Sequence, residues 1–234
     1  MKKLIIILLF AIPAYGADTT MFQKGVSEYT ATTHIELYEN DADANQDSTS
    51  NEAYFSFVTD PAAARHPIVY FDISSIPSGD TITSATLRFY GTDADNGSTV
   101  DFDVAASKRT VVFSQATWNV YSTGNSWQTA GGSGANDRQT AEDTVQIDCS
   151  GPQDSVDFDV TTSVRNFHSE AWTNLGWVFT GVAEGSGDAN YWQFHTENAA
   201  SASDRPLLII IHGSEPTEGN RRRREIIRYM GGNQ

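Results

Sequence analysis

The sequence predicts an all-β domain, a sandwich or barrel of about ten short antiparallel strands with at most one short helix. Three observations predict it. Short segments alternate apolar and polar residues with period two. They are rich in β-branched and aromatic side chains. Turn residues separate them at short intervals. In order, the segments are His34–Tyr38, Ala53–Phe57, Ile68–Ile73, Ala85–Tyr90, Val100–Val104, Thr144–Ile147, Val156–Val160, Gly176–Phe179, Tyr191–Phe194 and Leu207–Ile211. Pro77–Asp80, Asp95–Gly97, Gly131–Gly134 and Gly185–Gly187 supply the turns. The helical candidate lies between Thr161 and Trp172, where Val164, Phe167 and Ala171 fall at three- and four-residue spacing.

The two ends read differently. Lys2 and Lys3 precede an apolar run from Leu4 to Ile12, and Pro13 with Ala14-Tyr15-Gly16 follows. That is the layout of a secretory signal, with cleavage expected after Gly16. The run is far short of the roughly 20 residues that span a bilayer, and no later run approaches that length. The domain is expected over residues 17–214. Residues 215–220 read as a linker. Arg221, Arg222, Arg223 and Arg224 then lead into Glu225–Met230, where Ile226 and Met230 share a helical face.

Charge narrows the partners. Of 15 basic and 30 acidic residues, residues 17–214 hold 8 and 27, a balance of −19. The tail holds five Arg against three Glu, a balance of +2. So acidic a domain repels nucleic acid and anionic lipid. Its lone cysteine, Cys149, excludes an internal disulfide and reads as a small core residue.

One stretch carries a family likeness. Tyr70-Phe71-Asp72-Ile73-Ser74, a Pro77/Gly79 loop and Ile82-Thr83-Ser84-Ala85-Thr86-Leu87-Arg88-Phe89-Tyr90 resemble the signature of the DNRLRE-domain proteins, which include carbohydrate-binding module family 96. Further features follow in order: Ala116-Thr117-Trp118-Asn119, Trp127 before Gly131-Gly132, Phe158-Asp159-Val160-Thr161 with Val164-Arg165, Gly176-Trp177-Val178-Phe179, Phe194-His195-Thr196-Glu197 and Arg205-Pro206-Leu207-Leu208. The likeness covers roughly residues 27 to 212. It implies a jelly-roll β-sandwich that binds polysaccharide. It also places Glu197 and Arg205 on adjacent closing strands as a structural ion pair, which Arg88 could join.

Two constellations are candidate sites. Asp41, Asp43, Asn45, Asp47, Thr49 and Glu52 place oxygens at the spacing of an EF-type Ca²⁺ loop, although Gln46 stands where such loops use Gly. A structural Ca²⁺ and a plain solvated acidic loop both remain open. The second constellation is aromatic, since Trp and Tyr rings stack on the C–H faces of sugars. Trp118, Tyr121 and Trp127 lie in a Gly/Ser/Asn-rich stretch, and Tyr191 and Trp192 open a strand. Trp118 and Trp177 are expected in the core, Tyr121 and Trp127 at the surface, and one of Tyr191 and Trp192 inward. An anionic polymer such as alginate sits badly with −19 unless Lys108, Arg109 and Arg138 cluster, or Ca²⁺ bridges.

Catalytic signals are poor. Gly131–Ala135 imitates a nucleophile elbow without its last Gly. The five His show no zinc spacing. The expectation is therefore a secreted, non-catalytic carbohydrate-binding module. The alternative is a structural or adhesion domain of a surface or virion appendage with a protein partner. The basic tail is expected to tether the module to an acidic partner or a larger surface assembly through Arg221–Arg224.

Overall fold

The computed structural model describes residues 17–46, 50–57, 64–94, 97–151, 153–182 and 190–214, with the backbone alone at 54–57. The expected signal at 1–16, Asp47, Thr49, the turns at Asp95-Asn96 and Gly185–Gly187, and the tail lie outside the described residues.

Each of the ten expected segments is a strand. In chain order the strands are β1 (Asp18–Phe22), β2 (Thr32–Tyr38), β3 (Glu52–Phe57), β4 (Arg65–Phe71), β5 (Asp80–Ala94), β6 (Thr99–Ala106), β7 (Val120–Ser122), β8 (Asn125–Ser126), β9 (Asp143–Asp148), β10 (Ser155–Asp159), β11 (Trp177–Gly181), β12 (Asn190–His195) and β13 (Leu207–Ser214). β1, β7 and β8 are additions; β1 carries only two apolar residues and β8 two residues in all, too little for a periodic signal. Helix α1 spans Thr161–His168 and buries Val164 and Phe167. Ala171 lies beyond it and is exposed. No helix among the described residues is long and apolar enough to cross a membrane.

The strands make a sandwich-like arrangement of antiparallel sheets. One layer runs β1-β13-β5-β10, the other β2-β4-β11-β6-β9. β5 serves both sides of the fold. Its first part pairs with β13 and β10, and Gly91, Asp93 and Ala94 pair with β12, which pairs in turn with β3. Long strands change sheets at bends, and the bend here is at Gly91. A Cβ at that position would stand 2.1 Å from the Gln153 carbonyl oxygen and 2.8 Å from Trp192 Cζ2.

Alternation fills the space between the layers. Leu87, Phe89, Phe102, Val104, Phe158, Trp177, Phe179, Phe194, Leu208 and Ile210 are buried there together, and Cys149 joins them as expected. Phe89 is the hub. Its ring meets those of Phe194, Phe179 and Phe158 edge-on, at 4.8, 5.3 and 6.1 Å between centroids. Such pairs add about 0.5–1.5 kcal/mol each beyond burial.

Edge strand β1 is clamped from the side. The hydroxyl of Thr20 lies 2.8 Å from His212 Nε2, and His212 Nδ1 lies 2.6 Å from Asp80 Oδ2. The chain has the connectivity of a nucleophile, base and orienting acid. Its three members come from β1, β13 and β5, so its evident work is to tie three strands of one layer.

The start of α1 is capped from outside the helix. Glu142 Oε2 accepts the Ser163 backbone N–H at 2.8 Å, and Ser163 Oγ accepts the Trp177 indole N–H at 2.6 Å. Burial nevertheless pushes the Glu142 carboxyl above the usual carboxylate range, with the Ser163 bonds opposing it. A folded pKa raised above the unfolded one gives stability that is full below the unfolded value and is lost as pH rises through the folded value. Replacing Glu142 by Gln should therefore help most near neutrality. The melting temperature of Glu142→Gln relative to wild type should rise between pH 4 and 7; a pH-independent loss would contradict this.

Candidate functional site

Residues 107–142 leave β6 and return to β9, its neighbour in the sheet. Gln139 N–H donates to the Ala106 carbonyl and Glu142 N–H to that of Val104, so the excursion closes where it opened. It lies over the outer face of the second layer. Ile35, Leu37, Ile68 and Val178 point to that face, and Ala116, Trp118 and Trp127 bury against them. Both faces of β4 and β11 are therefore covered, which explains why Ile68-Val69 and Val178-Phe179 are apolar at successive positions.

Asp137 holds the excursion in shape. Its carboxylate is fully buried. Oδ1 accepts the Gln128 N–H at 3.0 Å and Arg109 Nε at 2.9 Å, and Oδ2 accepts the Thr129 N–H at 3.0 Å. Gly131 turns the chain at φ 77°, with its carbonyl 2.7 Å from His66 Nδ1. A Cβ there would stand 2.6 Å from Trp118 Cη2, so the close approach requires glycine.

The aromatic candidates separate. Trp127 is buried, contrary to the surface role expected of it. Its indole N–H donates to the Thr117 carbonyl at 2.9 Å, because the excursion needs an apolar centre of its own. Trp118 and Trp177 are in cores, as expected. Trp192 is also fully buried, beside the Gly91 bend, and leaves the candidate site. Tyr191 is half-buried, on the opposite side of β12 from Trp192. Tyr121 remains half-exposed, with Trp127 at 5.4 Å and the Arg109 guanidinium 5.2 Å above its ring. It is part of an Arg109–Tyr121–Trp127 cluster, its ring tilted 58° to that of Trp127, and not a bare platform.

The acidic loop meets this cluster. Ala42 and Phe113 pack with Tyr121 at the rim of the same small core. Asn119 Nδ2 donates to Asp43 Oδ1 at 2.8 Å, and Asn119 N–H to the Ala42 carbonyl at 3.2 Å. Asn45 Nδ2 donates to the carbonyls of Ala116 and Phe113, at 2.6 and 2.9 Å. Asp41 Oδ2 accepts from Gln46, at 3.3 Å. Glu52 stands on β3 and accepts from Gln193 of β12, at 2.9 Å. The described members of the expected Ca²⁺ set thus have partners other than a common cation, and no group of three or more His, Cys, Asp or Glu converges among the described residues.

The backbones that carry the three cations meet at the base of the excursion, where Lys108 N–H donates to the Asp137 carbonyl. Ser107 bridges to Arg138 across the mouth of the excursion. Lys108 Nζ donates to the Ala135 carbonyl, Arg109 pairs with Asp137, and Arg138 Nη2 lies 3.9 Å from Asp103 Oδ2. Two of the three are thus balanced by a carboxylate.

The expected Glu197–Arg205 pair is not formed. Glu197 is buried against His34, Nδ1 to Oε2 2.5 Å, with Lys24 Nζ at 4.0 Å. Arg205 instead donates to the carbonyls of Ala199 and Lys24. Arg88 faces out of the first layer and pairs with Asp157, its register partner on β10. Asn119 and Asp137 escaped the sequence reading as site residues, and Asp43 entered it only as a candidate Ca²⁺ ligand. Asn119 and Asp43 are 76 positions apart, and nothing local marks them.

No protein-family model matches the chain, and no curated protein matches it.

Proposed function

We propose that the chain is a secreted, non-catalytic carbohydrate-binding module that holds an extracellular polysaccharide on the excursion lobe. The observation that carries this reading is the half-exposed ring surface of Tyr121 and Phe113 on that lobe, beside the exposed hydrogen-bonding pair of Asn119 and Asp43 where the acidic loop meets it. Sugars ask for that combination: apolar C–H faces beside hydroxyls that both donate and accept. A long excursion on a rigid sheet is also where binding residues concentrate. The resemblance to the DNRLRE-domain proteins, carried by Tyr70–Tyr90 and the later motifs, supports the same reading.

A glycan array tests it, run once with millimolar Ca²⁺ and once with chelator. Retention of at least one glycan class is expected, and retention of none ends the reading. Calcium at the Asp41–Glu52 loop is a separate proposal, since it requires Asp47 and release of Asp43 from Asn119. Binding lost with chelator supports it.

A second reading, an adhesion domain with a protein partner, is favoured by one observation. Met21 is 57% exposed on the outer face of the β1-β13-β5-β10 layer, directly across from Ile209 and near Ile211. A flat apolar row suits protein more than sugar.

A further inference from the structure

Strand β13 breaks the alternation that governs its neighbours. Leu207-Leu208-Ile209-Ile210-Ile211 is apolar at every position. Leu208 and Ile210 are buried between the layers, which turns Ile209 and Ile211 outward. On β1, Phe22 goes inward, and Met21 comes out opposite Ile209. A strand apolar on both faces is characteristic of one that is covered on both faces. β4 and β11 follow that rule, with the excursion as their cover.

The chain itself supplies a cover for β13. Residues 215–234 continue directly from Ser214, the last residue of that strand, and carry Ile226, Ile227 and Met230 among five Arg. The linker 215–220 reaches about 20 Å when extended. Ile209 lies only about 17 Å back along the strand from Ser214. Charge favours the return. Asp157 and Asp159 are exposed on the outer face of β10, two strands from the row, with Arg88 already paired to Asp157. The domain's balance of −19 faces a tail of +2. A short tether also gives the tail an effective concentration in the millimolar range, ahead of any free partner.

We infer that residues 221–230 fold back on the outer face of the β1-β13-β5-β10 layer, setting Ile226, Ile227 and Met230 on Met21, Ile209 and Ile211. This takes the place of the free tether expected from the sequence. It does not depend on the carbohydrate reading.

Truncation after Ser214, combined with Ile209→Lys in a double-mutant cycle, tests it. Truncation should lower the melting temperature by about 3–6 °C, the range for modest apolar burial in a domain this size. Ile209→Lys should be costly in the full chain and nearly silent in the truncated one, because contacting groups are not additive. An unchanged melting temperature on truncation overturns the inference. So does a truncation effect that adds to that of Ile209→Lys, which would put the tail elsewhere. A concentration-dependent dimer of the full chain that dissolves on truncation would place the tail on a second copy and would overturn it too.

Discussion

Gly91→Ala should cost this domain about 3 kcal/mol, a fall of roughly 6–12 °C in melting temperature. The added Cβ would meet the Gln153 carbonyl at 2.1 Å and the Trp192 ring at 2.8 Å. The first is backbone, and the second is fully buried, so neither yields as the end of a flexible side chain would. Gly91 N–H also donates to the Asp154 carbonyl at 3.2 Å, which fixes the approach of the two segments. Relief would require β5 to straighten where it passes from β13 and β10 to β12, opening the hub around Phe89. Gly79→Ala is the matched control, because a Cβ there meets nothing within 4 Å. Thermal unfolding of the two variants checks the claim. Melting of Gly91→Ala within a degree or two of wild type would show that the corner does not depend on this contact.

Asp137→Ala should be nearly as costly, and local. Its carboxylate serves two backbone N–H groups and Arg109 at once. Removing it leaves three part-buried donors without their acceptor, for about 2–4 kcal/mol in total. The sheets keep their own core, so the loss should appear first as faster amide exchange across residues 107–142, with β5 and β11 still protected. Glycan retention should disappear with it, because Arg109 and Tyr121 lose their support. Uniform loss of protection across the sandwich would show instead that the lobe and the sheets unfold as one unit.

The strands were legible because most bury one face, and their side chains alternate accordingly. The departures were legible too, though not their cause. Ile68-Val69 and Val178-Phe179 are apolar in succession because the excursion covers the outer face, and no local rule shows which segment lies over which strand. The site was read less well for the same reason. Trp127 stands among Gly, Ser and Asn, the composition of an exposed loop, yet it is the centre of a small second core. The spacing of Asp41, Asp43 and Asn45 suggested convergence on a cation. In the fold Asp43 accepts from Asn119, and Asn45 donates to the Phe113 and Ala116 carbonyls, partners more than 65 residues away that no local spacing reveals. Glu197 has a cation-capable partner as the motif suggested, but it is His34, brought in from β2. Pairings of that kind are set by tertiary register, which short motifs do not encode.

The central claim is that the lobe binds sugar. Its most direct test is calorimetric titration of the glycan selected on the array into wild type and Asn119→Ala. The Asn119 side chain is exposed and bonds only to Asp43 among the contacts seen, so its loss should leave the melting temperature within about 1 °C, as for surface changes generally. Affinity should fall about tenfold, the equivalent of one hydrogen-bonding group worth about 1.4 kcal/mol. Equal affinity in the two proteins would contradict the account and move the binding site off the lobe.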